Sequence, residues 1–415
     1  MLILDLLYFL LLLLTWPFWA ARFLKPSQRR LLRGRLRPQL EPAAGQAVWI
    51  HAVSVGEVRS LRSLVAALER PDRRIVLSVT TPAGFEFARR EYPGLAVILS
   101  PLDLSFVVRR FIDRIRPRLV IFNELEVWPN WISLLRRRRV PMLLINGRVS
   151  EKAFRRYRFF RPVLRPFFRG VDGFLVQNEI YRQRFLRLHI PAGKITVCGN
   201  IKADEAVSSA RQLPPPEEVR AHLRLAGPPR MIVVLASSHP LDEEVFMPAI
   251  PAQGNDFFFI IVPRHVQRAP AIAARLQRLG IPQALFSRQQ AADAGLQALV
   301  YDRMGFLLPI MSIADIVFMG GTFDSRTGGH NLYEPAALGK TIVGGPYFNN
   351  FPDIGRELKE GGAYRPVNDS REWREFLAAF PGLDSERTGA IARKAVDGRR
   401  GSLACSLEQI ERYLA

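Results

Sequence analysis

Cysteine is nearly absent from this chain: two of its 415 residues, Cys198 and Cys405, lie far apart and in no metal-ligand spacing. That scarcity argues against a disulfide framework and a zinc site, and fits a reducing compartment. Acid is short as well, 38 Asp and Glu against 59 Lys and Arg, for a formal charge of +21. Such an excess draws in anionic partners (nucleic acid, an anionic membrane surface, phosphorylated small molecules) without choosing among them. No Asp-x-Asp pair occurs to hold a metal on a nucleotide diphosphate, and neither a P-loop nor a Gly-x-Ser-x-Gly nucleophile turn is present. No metal site and no cofactor are expected.

Apolar residues make up 48% of the chain, 27 Phe among them, enough for two well-packed interiors at this length. One long apolar run exists. Residues 1–21 are apolar except for Asp5 and Thr15, with Trp16, Phe18 and Trp19 at the far end and seven Lys or Arg between Arg22 and Arg37. About 20 apolar residues cross a bilayer core, aromatic rings favour the headgroup layer, and flanking basic residues hold their end in the cytoplasm. A cleaved signal peptide would carry its positive charge on the other side of the run. The expectation is an N-terminal membrane anchor, spanning or dipping into one leaflet since Asp5 and Pro17 shorten the run. Residues 22–45 follow as a basic juxtamembrane segment and linker.

Continuous apolar runs then alternate with helix-patterned stretches. Residues 47–53, 74–79, 96–99, 119–122, 142–145 and 174–177 read as strands buried on both faces, and so do 231–236, 257–262, 298–301, 316–319 and 341–343. Pro214 to Pro216 and Gly227 to Pro229 mark a break. The expected organisation is a Rossmann-like domain at 46–205, a linker at 206–230, a second Rossmann-like domain at 231–385 and a helical segment at 386–415, the two domains facing across a cleft.

In open α/β sheets ligands bind beyond the carboxyl ends of the strands, so residues following the apolar runs are the site candidates. Glu57 follows the first run near a helix start, where backbone N–H groups favour its ionised form, suited to taking a proton from a hydroxyl. Glu124 and Glu126 follow the run 119–122 beside a Trp-Pro corner, and Lys202 follows Gly199-Asn200-Ile201. In the second half Arg264 stands behind Pro263, in position to meet a phosphate. Gly320-Gly321-Thr322, Gly328-Gly329-His330-Asn331 and Glu334 come next: paired glycines bring backbone N–H groups to a phosphate, and Glu334 suits ribose hydroxyls.

With those residues in view, the chain resembles the bacterial 3-deoxy-D-manno-octulosonic acid (Kdo) transferases over nearly its whole length. The resemblance rests on HAVSVGEV at 51–58, NELEVWPNWI at 123–132, NGRVSEKAFRRY at 146–157, GNIKAD at 199–204, VPRH at 262–265, ADIVFMGGT at 314–322 and GGHNLYEPAALGK at 328–340. It implies a GT-B fold and inverting, metal-independent transfer of Kdo from CMP-Kdo to a lipid A precursor at the cytoplasmic side of the inner membrane. It further implies Glu57 as base, Glu126 and Lys202 as stabilisers of the transition state, and CMP contacts from Pro263, Arg264, Met304, Gly305 and the stretch Asn331, Leu332, Tyr333 and Glu334. Phe306 stands where the family pattern carries an acid, which puts one nucleotide contact in question. The implied partners are the donor, the lipid acceptor and the anionic membrane surface, not nucleic acid. Two rival readings remain: another GT-B transferase or epimerase with a different nucleotide sugar, and a membrane-bound anion-binding module using the Arg136–Arg139 and Arg155–Arg158 clusters.

Overall fold

The structure is a computed structural model and describes residues 2–15, 26–40, 46–225, 230–254, 256–289 and 295–414. The chain divides into two compact units: Met1–Asp204 together with Gly401–Ala415, and Glu205–Arg400.

In the first unit seven parallel strands form one sheet: β1 (Ala47–Ala52), β2 (Arg74–Val79), β3 (Ala96–Leu99), β4 (Pro117–Asn123), β5 (Met142–Gly147), β6 (Gly173–Val176) and β7 (Ile195–Val197). Their order is β3-β2-β1-β4-β5-β6-β7, with helices between successive strands. The runs are apolar throughout because both faces are covered. Ala47 and Trp49 pack into the core on one face with Phe111, Trp131 and Phe168, while Val48, Ile50 and Ala52 pack on the other with Val58, Leu64 and Ile410.

The second unit repeats the plan with β8 (Met231–Ser238), β9 (Phe257–Pro263), β10 (Gln283–Leu285), β11 (Ala298–Val300), β12 (Ile316–Met319), β13 (Thr341–Gly344) and β14 (Tyr364–Pro366). The order is β10-β11-β9-β8-β12-β13-β14, again parallel. Phe246, Phe259, Phe318 and Trp373 fill the core on one side of it. Each sheet reverses its winding once, between β1 and β4 and between β8 and β12, and those switch points are where such sheets bind ligands.

Three features differ from the compositional reading. The proline-rich stretch 206–230 carries the end of helix Ile201–Arg211 and all of helix Pro216–His222, which starts on a proline at its first helical position and buries Val219 and Leu223 beneath it. The last helix, Ser402–Leu414, returns to the first unit. There the Asp204 carboxylate accepts from the N–H groups of Gly401 at 2.9 Å and Leu403 at 2.8 Å, as well as from the Ser402 hydroxyl. That return joins Cys198 to Cys405 in a disulfide, Cα atoms 5.5 Å apart, a single bridge in a chain whose scarcity of cysteine argues against a disulfide framework and for a reducing compartment. A sequence separation of 207 residues hides the pairing until the last helix is placed. Finally, among the described residues no helix is long and apolar enough to cross a membrane. The first helix covers Leu2–Leu14, and much of the remaining anchor stretch, from Trp16 to Ala21, lies outside the described residues.

Candidate active site

The first switch point gathers a cluster of charged side chains. After β1 the chain turns through Val53 and Ser54, whose hydroxyl caps the short helix Val55–Ser60. Glu57 folds back over that turn. Its Oε2 accepts from the Val53 N–H at 2.9 Å and its Oε1 from the Ser54 hydroxyl at 3.3 Å. The ionised form expected from the helix start does not prevail. Burial pushes the carboxyl up, the Glu124 carboxylate pushes it further, and the result is about 8 despite the Val53 hydrogen bond and the Lys202 charge. Glu57 is therefore held largely protonated at neutral pH, with its affinity for a proton tuned to the range useful for acid–base transfer.

Beyond β4, Glu124 takes a left-handed backbone conformation (φ 63°) that side chains with a Cβ rarely adopt. Its own N–H donates to the Ile145 carbonyl at 2.9 Å, and its carboxylate receives Lys202 Nζ at 3.3 Å and Arg148 Nε at 2.8 Å. Burial alone would raise this carboxyl, but Lys202 and Arg148 hold it below the usual range. Lys202 thus pairs with Glu124. Glu126 sits two residues on and is fixed differently. Its Oε2 accepts from Trp128 Nε1 at 2.8 Å and from His51 Nε2 at 3.2 Å, and the fully buried His51 is braced from behind by Ser78 Oγ, 2.9 Å from Nδ1. Sequence reading missed two of these residues and the role of a third. Arg148 follows β5 and was within reach of the strand-end rule. His51 was hidden inside an apolar run, and the role of Glu124 depends on a backbone angle no spacing reveals.

At the switch point of the second unit, the carboxyl ends of β8 and β9 and the chain after β12 bring together His239, Arg264, His265 and His330. The two rings of His239 and His330 stack with Nε2 atoms 2.8 Å apart. Burial, with Arg264 and the neighbouring imidazoles adding to it, drives His330 down to about 3, so this corner repels protons and suits an anion. Pro263 ends β9 buried, and Arg264 beyond it is exposed, its N–H donating to the Ser238 carbonyl at 3.1 Å. Asn331 accepts from the Tyr333 N–H at 3.1 Å, and the buried Leu332 and Tyr333 set the half-buried Glu334 on a short helix, Tyr333–Ala337. Met304 and Gly305 are exposed beyond β11. Phe306 turns in instead and lies against His222, ring centroids 4.1 Å apart.

The glycine pairs do not serve as expected. The Gly321 N–H donates to Asp242 Oδ2 at 2.7 Å, and those of Gly320, Gly328 and Gly329 donate to the carbonyls of Ala236, Asp324 and Gly321 at 2.9, 2.9 and 2.8 Å. These donors are spent within the protein. What the positions require is room: a Cβ on Gly320 would come 2.3 Å from the Ser237 carbonyl oxygen. The Asp242 carboxyl beneath them is raised to about 6 by burial, against the pull of the backbone N–H groups it receives.

Two parallel-sheet α/β units, each with ionisable groups at its switch point, are the architecture of GT-B-like nucleotide-sugar enzymes. A solved UDP-GlcNAc 2-epimerase from Neisseria meningitidis shares the fold, with a TM-score of 0.63 at 12% identity over 89% of this chain and 100% of that one. The chain is 35% identical over 335 residues to a 3-deoxy-D-manno-octulosonic acid transferase of Chlamydophila psittaci, covering 80% of this chain and 76% of that protein. It is also 31% identical over 379 residues to the Haemophilus influenzae protein of the same description, covering 89% and 87%. A family model described as 3-Deoxy-D-manno-octulosonic-acid transferase (kdotransferase) matches residues 19–205. The chain belongs to the 3-deoxy-D-manno-octulosonic acid transferase family.

Proposed function

We propose that the protein moves Kdo from CMP-Kdo to a lipid A precursor at the cytoplasmic face of the inner membrane, with inversion and without a metal. Glu57 acts as base. In this step an acceptor hydroxyl oxygen attacks the anomeric carbon, the bond from that carbon to the CMP phosphate breaks with its electron pair leaving on the phosphate, and the hydroxyl proton passes to Glu57. Lys202, held by Glu124, offsets the negative charge of the sugar carboxylate and the departing phosphate, a kind of preorganised stabilisation that contributes heavily to catalysis. Glu126 faces the positive charge that develops on the sugar. Pro263, Arg264, Met304, Gly305 and the stretch Asn331, Leu332, Tyr333 and Glu334 form the cytidylate site, with Phe306 contributing packing against His222.

The observation that carries this reading is the placement of Glu57, raised to about 8 beside the Glu124–Lys202–Arg148 cluster at a switch point. A carboxylate of that affinity accepts an alcohol proton more readily than a surface glutamate does. Purified protein given CMP-Kdo and a lipid A precursor is expected to form a Kdo-bearing lipid. Turnover with UDP-sugars alone would favour the rival reading, another GT-B transferase or an epimerase.

A further inference from the structure

The first helix, Leu2–Leu14, has two sides of opposite character. Asp5 is buried, its Oδ1 accepting from the Ser105 N–H at 2.8 Å and from Asn130 Nδ2 at 3.1 Å, its Oδ2 from the Ser105 hydroxyl. One turn on, the Tyr8 hydroxyl donates to Asp103 Oδ2 at 3.0 Å, and that same carboxylate accepts from the N–H groups of Asn130 and Trp131 at 3.2 and 3.0 Å. Asp5 therefore caps helix Ser105–Ile115, and Tyr8 is tied to the carboxylate at the start of helix Pro129–Arg137. At 100° per residue Leu6, Phe9, Leu10, Leu13 and Leu14 fall within an arc of about 140°, away from both tethers. All five are exposed, Leu13 at 73%.

These tethers decide how such a helix meets a bilayer. Were residues 1–21 to span it with the body of the protein on the basic side, Asp5 would sit about 24 Å from the cytoplasmic end. A carboxylate there cannot cap a helix of the catalytic unit. A second apolar point lies on the same unit: Phe159, Phe160 and Val163, exposed at 79%, 50% and 62%. The exposed Arg155, Arg156, Arg158 and Arg165 flank it along the chain. Leu164, Phe167 and Phe168, from the helix carrying Val163, pack into the same core cluster as Tyr8 and helix Ser105–Ile115, so both points stand on one face of the sheet. The exposed Arg30 and Arg33, on a helix whose Leu36 carbonyl accepts from Arg110 at 3.0 Å, add charge to that unit.

We propose that the first helix is an interfacial foot that does not cross the membrane. Pinned to the catalytic unit through Asp5 and Tyr8, it lies in one leaflet of an anionic bilayer, with the Phe159–Phe160–Val163 knob as a second foothold and the arginines against lipid phosphates. The inference rests on the membrane-embedded acceptor proposed above and sets the pose in which the enzyme reaches it.

The test uses the full chain with a protease-cleavable tag at its N-terminus in inverted inner-membrane vesicles. Added protease is expected to remove the tag without detergent, because the N-terminus lies on the same side as the catalytic unit. A tag protected until detergent is added would overturn the pose. In parallel, purified protein is floated with vesicles of phosphatidylglycerol and phosphatidylethanolamine. The double variant Leu10→Glu, Leu13→Glu is expected to lower the floated fraction at least about tenfold, and an unchanged fraction would overturn the foot. If the unaltered protein itself fails to float, the membrane reading falls along with the pose. Flotation with a protected tag removes the pose alone.

Discussion

Lys202 Nζ stands 3.3 Å from Glu124 Oε1, and Arg148 closes the other side of the same carboxylate at 2.8 Å. One acid between two bases leaves the trio with a net positive charge beside Glu57. Glu124 thereby acts on its neighbour twice. Its own charge raises the Glu57 carboxyl, and it holds in place the lysine that lowers it. The cluster sets the affinity of the proposed base as a unit.

The first prediction concerns that affinity. The Glu57 carboxyl is raised from 4.5 to about 8, so the unprotonated base accumulates as pH rises toward 8. Transfer rate, measured as kcat/KM, is expected to climb with pH across the neutral range and level off near pH 8. Glu57→Gln is expected to lower it by about 10²–10⁴-fold at every pH, the usual contribution of a positioned base. Stability moves the other way. The folded state keeps a proton that the unfolded chain releases above pH 4.5, so this contribution is whole below that pH and lost as pH rises through 8. The Tm of Glu57→Gln relative to the unaltered protein is therefore expected to increase between pH 5 and 9. A constant difference would place Glu57 in solvent.

The second prediction separates the two neighbours. Glu124→Gln removes a negative charge that raises Glu57, so the rising limb of the pH profile is expected to shift to lower pH. Lys202→Met removes a positive charge that lowers Glu57, so its limb is expected to shift to higher pH. The lysine variant is also expected to lose about 10²–10³-fold in kcat, as removal of a preorganised charge does. An unmoved limb in both variants would show that neither charge reaches Glu57.

Much of this architecture was legible in the residues alone. Parallel strands buried on both faces announce themselves as unbroken apolar runs, and the rule that ligands gather beyond their carboxyl ends leads directly to Glu57, Lys202 and Arg264. β10 and β14 escaped because three-residue edge strands containing Gln283 or Arg365 give no run to read. The electrostatics were less legible. A helix start favours an ionised Glu57, yet burial and Glu124 outweigh it, and Glu124 comes from the end of another strand, far along the chain. Glycine pairs were misread for a related reason. The same residue type serves a phosphate or a tight crossing of backbones, and only the folded chain shows which N–H groups are already spent.

His51 supports a third prediction. It is fully buried within β1, braced by Ser78 and bonded to Glu126. His51→Leu is expected to destabilise the first unit by about 1–3 kcal/mol, since it removes a buried side chain's hydrogen bonds to Ser78 and to the Glu126 carboxylate, and to let that carboxylate swing. A positioning role predicts that kcat falls while KM for the donor stays. Equal losses in both would mean that the change merely unfolds the site.

The last prediction concerns Gly320, where two explanations of one glycine give opposite results. Were it needed to bring an N–H to the donor phosphate, alanine would weaken donor binding while the fold survived. The Gly320 N–H already donates to the Ala236 carbonyl, and a Cβ there would stand 2.3 Å from the Ser237 oxygen and 2.8 Å from that of Ala236. Both are backbone atoms at the end of a central strand, so neither can rotate out of the way. Gly320→Ala is expected to lower the stability of the second unit by about 3 kcal/mol, at the upper end for overpacking, read as a fall in its Tm without any donor present. An unchanged Tm with a raised KM for the donor would restore the phosphate role.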